Sequence, residues 1–336
     1  SSRRRHTRSS VTGVQTCALP ISWVQNGPIE IASQDPNLGP VFYLLEQNGA
    51  MPPKFEGELT KCLACHDSYS LSGDGVPRYI VGSGYTGITG MLVSHEGWIL
   101  VTDRTPLRSR WGGWYVTGRH GSERHLGNMK IKSLHDFDDL DAHRLGNIDN
   151  VDALFDTSRY LTNKSDIVAL LVLQHQADVQ NQITRLSWDT RTALAAASAG
   201  RMQAGDAQSR IAEAAEELVK RMLFADAVEY TSPISGDPNF VAQFTSRAVR
   251  DGQGRSLRDF DLSRRLFRHP LSYMIYSAAF DTLPAEAKRA VYGRLNDVLT
   301  GVDTSADFAA LTAEDRLAVL EILRATKPEF VKTIAN

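Results

Sequence analysis

The chain has 336 residues, 42% of them hydrophobic and 23% charged, and a formal net charge of -2. That balance describes an ordinary globular chain, long enough for two domains or one large one, and excludes a basic nucleic-acid binder. The longest apolar run, residues 167–173, falls far short of the ~20 residues that a membrane-spanning helix needs.

Residues 1–21 stand apart. Arg3, Arg4 and Arg5 carry the charge of a signal-peptide start, but no apolar stretch of ~7–15 residues follows. The string resembles the translation of a sequencing adapter. It is expected to be disordered, to play no part in function, and to stand where an export signal is missing. Setting it aside removes Cys17 and leaves Cys62 and Cys65 as the only thiols. Residues 22–61 read as loop-rich, broken at Asn26-Gly27-Pro28, Asp35-Pro36, Gly39-Pro40 and Pro52-Pro53. Between the breaks, residues 41–45 form a strand or one helical turn that supplies apolar cover.

The next stretch, Cys62-Leu63-Ala64-Cys65-His66, carries the most specific chemistry in the chain. Two thiols one helical turn apart match the two vinyl groups of a haem, and the residue that follows lies under the iron. Zinc would need two further ligands, and a thioredoxin-like pair would open a helix after a strand in a βαβ unit; neither context surrounds these residues. Over these five residues the chain resembles the c-type cytochromes. The resemblance implies one covalent haem c with His66 as proximal ligand, a periplasmic or otherwise extracytoplasmic location, and a redox partner protein.

Residues 79–81, 90–93, 98–101 and 114–116 are short β-like runs separated by Gly and Ser, with His95-Glu96-Gly97 as a hairpin turn. The segment from Arg108 to Gly127 is rich in glycine, tryptophan and histidine. Glycine allows close backbone approach to a flat ligand and tryptophan supplies a broad apolar wall, so Trp111 and Trp114 are candidate walls of the haem pocket. A packed hairpin core is the plainer alternative. Arg119 and Arg124 are candidates for the haem propionates.

From residue 149 onward the apolar spacing turns helical. Helices are predicted over 165–186, 207–230, 239–249, 257–280 with a break at Pro270, 285–299 and 313–325. The expected fold is therefore mainly α with a small β-hairpin region: a haem c-binding region over 22–150, then a helical bundle over 151–336. The cluster Arg258, Arg264, Arg265, Arg268 and His269 reads as a solvated helix face paired with Asp259 and Asp261, and Asp136, Asp138, Asp139 and Asp141 as a solvated turn.

The ligand opposite His66 decides what the iron can do. The candidates in order are His125, His120 and His175, with His95 and Met129 behind them. His175 lies on an apolar helical stripe, where a histidine is more often a hydrogen-bonded core residue than a ligand. Two function classes follow. A strong sixth ligand makes a single-electron carrier; an open distal side makes a peroxidase-like enzyme or a ligand sensor. For the enzyme, Arg124 with His125 or Arg119 with His120 are the acid–base pairs, and Gln174 and Gln176 are further distal donors.

Overall fold

Helix α2 (Ile167–Ser198) is the longest helix among the described residues and runs through the main core. Asp166 caps it, its carboxylate accepting from the Ala169 N–H at 2.8 Å. Ile167, Val168, Leu170, Leu171, Val172 and Leu173 give it apolar surface in every direction, and a helix of that kind belongs inside. Every residue from 167 to 180 is buried. The computed structural model describes residues 18–23, 27–47, 49, 52–57, 60–67, 75–93, 96–132 and 146–335.

Ahead of α2 lies an antiparallel meander of β1 (Ala18–Trp23), β2 (Ile29–Asp35), β3 (Gly39–Leu45) and β4 (Phe55–Gly57), in that order across the sheet. The β2–β3 turn is set by Asp35, whose carboxylate accepts from the Asn37 and Leu38 N–H groups at 2.8 Å each. Register places Ala32 opposite Phe42, and these two are buried with Tyr79 and Ala177 in a small core of their own. Two expectations change here. The segment read as loops is mostly sheet, because its Pro and Gly residues fall at strand ends and edges. Residues 18–21, expected to be disordered, pair as part of β1 along the open edge of β2, which any extended segment can do.

Helix α1 (Thr60–His66) follows, then β5 (Gly82–Gly84) and β6 (Trp98–Leu100), paired antiparallel. Residues 79–81 and 114–116 are not strands, and of 90–93 only Leu92 makes an isolated bridge, to Thr86. Their glycines and serines interrupt the ladder before it can extend. His95 and the 136–141 acidic run lie outside the described residues.

The second half is helical as expected: α3 (Ala204–Met222), α4 (Pro238–Thr245), α5 (Ala278–Asp281), α6 (Ala285–Leu299), α7 (Ala313–Thr326) and α8 (Pro328–Ile334). The heptad-like set Ile211, Ala215, Leu218 and Met222 is fully buried. Thr312 and Asp315 form a reciprocal capping box at the start of α7. Residues 257–272, predicted helical, instead form turns. Asp261 accepts from the Ser263 N–H at 2.9 Å and Asp259 from the Ser256 N–H at 2.8 Å, so side chains take the donors a helix would use. Arg258 is buried, its guanidinium 4.4 Å from the Tyr273 ring centre and 4.6 Å from that of Phe244, not on a solvated face.

The result is a helix-dominant mixed fold with one four-stranded and one two-stranded antiparallel sheet. Its main core takes in Leu107, Trp111 and Val116 together with the helices, so the boundary expected at residue 150 does not divide the packing. Among the described residues no helix is long and apolar enough to cross a membrane.

Burial of α2 on all sides forces an accounting for its polar residues. Asp178 faces Arg221, Nε to Oδ2 at 3.7 Å, across from Asp103, His175 and Arg104. Burial dominates and pushes its carboxyl up to about 6, well above the ordinary aspartate range, against the pull of Arg221. A carboxyl raised in the folded state holds a proton that the unfolded chain has released, so its contribution is present below pH ~4 and lost as pH rises through 6. Asp178→Asn should therefore flatten that slope, because the amide cannot titrate. Urea unfolding of both proteins at pH 5 and 7.5 measures it; equal slopes would refute it.

Candidate cofactor site

Cys62 and Cys65 stand three residues apart on α1 and so share one helical face. Both line a cavity of about 780 Å³, together with His66, within the ~300–1,000 Å³ range of cofactor and ligand sites. Its walls come from several elements. The sheet supplies Ile31, Ala32, Phe42, Tyr43 and Leu44; the stretch before β5 supplies Tyr79, Ile80 and Val81; Trp114 and, from α2, Leu173, Gln176, Ala177 and Gln180 complete it. The apolar cover expected from residues 41–45 is thus found beside the two cysteines.

His66 is held in one orientation. Its Nδ1 lies 2.7 Å from the Arg78 carbonyl oxygen, and the Arg78 N–H donates back to the His66 carbonyl at 3.0 Å. A carbonyl can only accept, so Nδ1 carries the hydrogen and Nε2 keeps its lone pair. This is the arrangement in which a metal-ligating histidine is set by a second partner. The ring also packs on Phe42, centroids 4.4 Å apart. Tyr79 is pinned to α2 by a two-point clamp: its N–H donates to Asn181 Oδ1 at 2.7 Å and its carbonyl accepts from Asn181 Nδ2 at 2.9 Å.

These residues fit a covalently attached haem. Two thiols, an imidazole with a prepared lone pair and a largely apolar cavity of suitable size meet at one place. Among the described residues no group of three or more His, Cys, Asp and Glu side chains is arranged to hold a metal ion.

The other predicted site residues divide. Trp114 lines the cavity, its Nε1–H donating to the Gly82 carbonyl at 2.8 Å. Trp111 does not line it; it is fully buried in the main core at φ 65. Gly112 beside it approaches the Gly84 backbone so closely that a Cβ would lie 2.5 Å from the Gly84 oxygen. The plainer reading, tight turns around a packed core, describes Trp111 better than a haem wall does.

His120, His125 and His175, the predicted distal ligands, are also absent from the cavity lining. The loop that carries the first two is folded back elsewhere by main-chain bonds, Gly118 to Ile148, Arg119 to Ser235 and Leu126 to Arg110, at 2.8–2.9 Å. There the two rings meet edge to face, 4.8 Å apart, with Trp111 5.7 Å from His125. Arg124 is exposed and outside the cavity, and Arg119 pairs with Asp149 at 2.7 Å. Met129 is buried with Leu126 and Ile131.

His175 belongs to a different arrangement. Its Nδ1 lies 2.6 Å from Asp103 Oδ2 and its Nε2 2.8 Å from Ser272 Oγ, while its ring stacks on Phe224 at 4.5 Å. Burial pushes the Asp103 carboxyl up, but His175, Arg110 and Gln174 pull it below its ordinary range. Gln174 turns the same way, its Nε2 3.4 Å from Asp103 Oδ1. The site residues missing from the sequence reading are the Arg78 carbonyl, Tyr79 and Gln180. No protein-family model, curated protein or solved structure matches this chain.

Proposed function

We propose that the chain is an extracytoplasmic monohaem c protein that passes single electrons to and from a partner protein. The observation that carries this reading is the shared cavity of Cys62, Cys65 and His66, with the His66 ring set by Arg78 to offer Nε2. The haem, when bound, supplies a one-electron couple. The chain's part is to anchor it by two thioethers, to hold the imidazole at one angle, and to keep water from it with Phe42, Leu44, Val81 and Trp114. Cys65 is exposed, so a partner can approach the attachment helix from solvent.

A second reading has its own support. Among the described residues the cavity lining contains no histidine besides His66 and no methionine. That composition favours a haem with one face open to small ligands. One experiment separates the two: spectra of the protein matured with an export signal in a host that attaches haem c, reduced, with and without carbon monoxide. A low-spin ferrous spectrum indifferent to the gas supports the electron carrier, and a shift on adding it supports the open face.

A further inference from the structure

We propose that Gln176 and Gln180 form a pair of amide donors that hold a small, uncharged diatomic ligand, such as dioxygen or nitric oxide, in the cavity. This rests on the second reading, a haem with an open face. The two residues are four apart on α2, so they share a face, and both line the cavity while remaining at least 97% buried. Neighbouring Gln174 turns away to Asp103.

The sense of each amide follows from its partners. Gln176 Oε1 accepts from the Tyr273 hydroxyl at 2.9 Å. Tyr273 is fixed in turn between Phe244 and Phe267, ring centres 5.1 and 5.8 Å away, under the Arg258 guanidinium. Burial pushes its phenol well above the usual range, so it remains a donor. With the oxygen taken, the NH2 end of Gln176 is what is left for the cavity. Gln180 Nε2 is buried with no hydrogen-bond partner among the described residues. An orphaned buried donor destabilises the fold, and that cost is removed when something in the cavity accepts from it.

The ligand class follows from the donors and their surroundings. Amides give hydrogen bonds but no proton at neutral pH, which suits retention of a ligand and not acid–base cleavage of one. Glu30, Glu46 and Lys61 also line the cavity, and the excess of carboxylates over the one cation disfavours a full anion there. A neutral diatomic with lone pairs at its far end satisfies both conditions.

The test uses the haem-loaded full chain, with Gln176→Leu, Gln180→Leu and Tyr273→Phe beside the parent. In the ferrous carbon monoxide form, donors near the ligand lower the C–O stretching frequency, so both glutamine variants should raise it. Tyr273→Phe, which keeps shape and packing and therefore the fold, should shift it less in the same direction. Nitric oxide should leave each glutamine variant about tenfold faster, the equivalent of one lost hydrogen bond. If carbon monoxide binds but stretch and release are unchanged in all three, the donor pair is overturned and the open face stands. Attached haem that binds no carbon monoxide overturns the open face and the pair together, leaving the electron carrier. A colourless chain overturns the haem reading itself.

Discussion

Cys62→Ser/Cys65→Ser should abolish covalent haem altogether. The doubly substituted chain, matured in an export- and attachment-competent host, should have the mass of the bare polypeptide. Each single variant should retain haem through one thioether, at lower yield and with an altered reduced spectrum. His66→Ala should keep the mass of the attached haem but lose the proximal coordination signature, since the thioethers do not depend on the imidazole. The far-ultraviolet circular dichroism of all four should remain that of the parent, because α1 buries none of its residues. Mass spectrometry of the intact protein reads the first result and absorption spectroscopy the second. A parent chain of bare mass, made under conditions that mature other haem c proteins, would sink the assignment.

His175→Ala should be the most destabilising single change in the helical half. The imidazole joins three parts of the chain: α2, Asp103 from the loop after β6, and Ser272 ahead of the Tyr273 turn. Removing the imidazole leaves the buried Asp103 carboxylate without its hydrogen-bond donor, which costs about 1–3 kcal/mol, with the upper end tempered because the Asp103 side chain retains 16% exposure. Ser272→Ala removes one hydrogen bond and leaves the pair, so it should cost about 1 kcal/mol. Since Asp103 is held below its ordinary range, its contribution is present above pH ~4 and fades as pH falls through the lowered value. Denaturant unfolding at pH 7 and pH 3 measures both effects. Equal losses for the two variants at pH 7 would show that the pair is not what His175 provides.

The parts legible in the sequence were those with local causes. The gathering of Cys62, Cys65 and His66 on one short helix, the buried stripe of α3 and the starts of α6 and α7 depend on residues within a turn or two of each other. The sheet was missed because Pro40, Gly39 and Asp35 look like loop residues until their strand-end positions are known. The helix expected over 257–272 failed because Asp259 and Asp261 compete for the backbone donors. At the site, the Arg78 carbonyl leaves no trace in a side-chain pattern, and no substitution of Arg78 would remove it. Gln180 is one of several glutamines on α2, and only burial against the cavity separates it from the rest. The histidines of the 118–127 loop attracted attention by their type and spacing, yet their placement depends on partners from residue 148 and from residues 232–235, far along the chain.

The two thiols sit on an outer helix that contributes nothing to the main core, and that core closes around α2 without them. Under the proposed function, biogenesis can therefore proceed in either order: most of the polypeptide can fold before a haem is attached. A molecule that misses this step stays largely folded, so surveillance that recognises unfolding would pass it. Under the proposed function, sorting loaded from unloaded molecules then falls to whatever reads the cavity walls, which the sheet and α1 share with Trp114 and one face of α2.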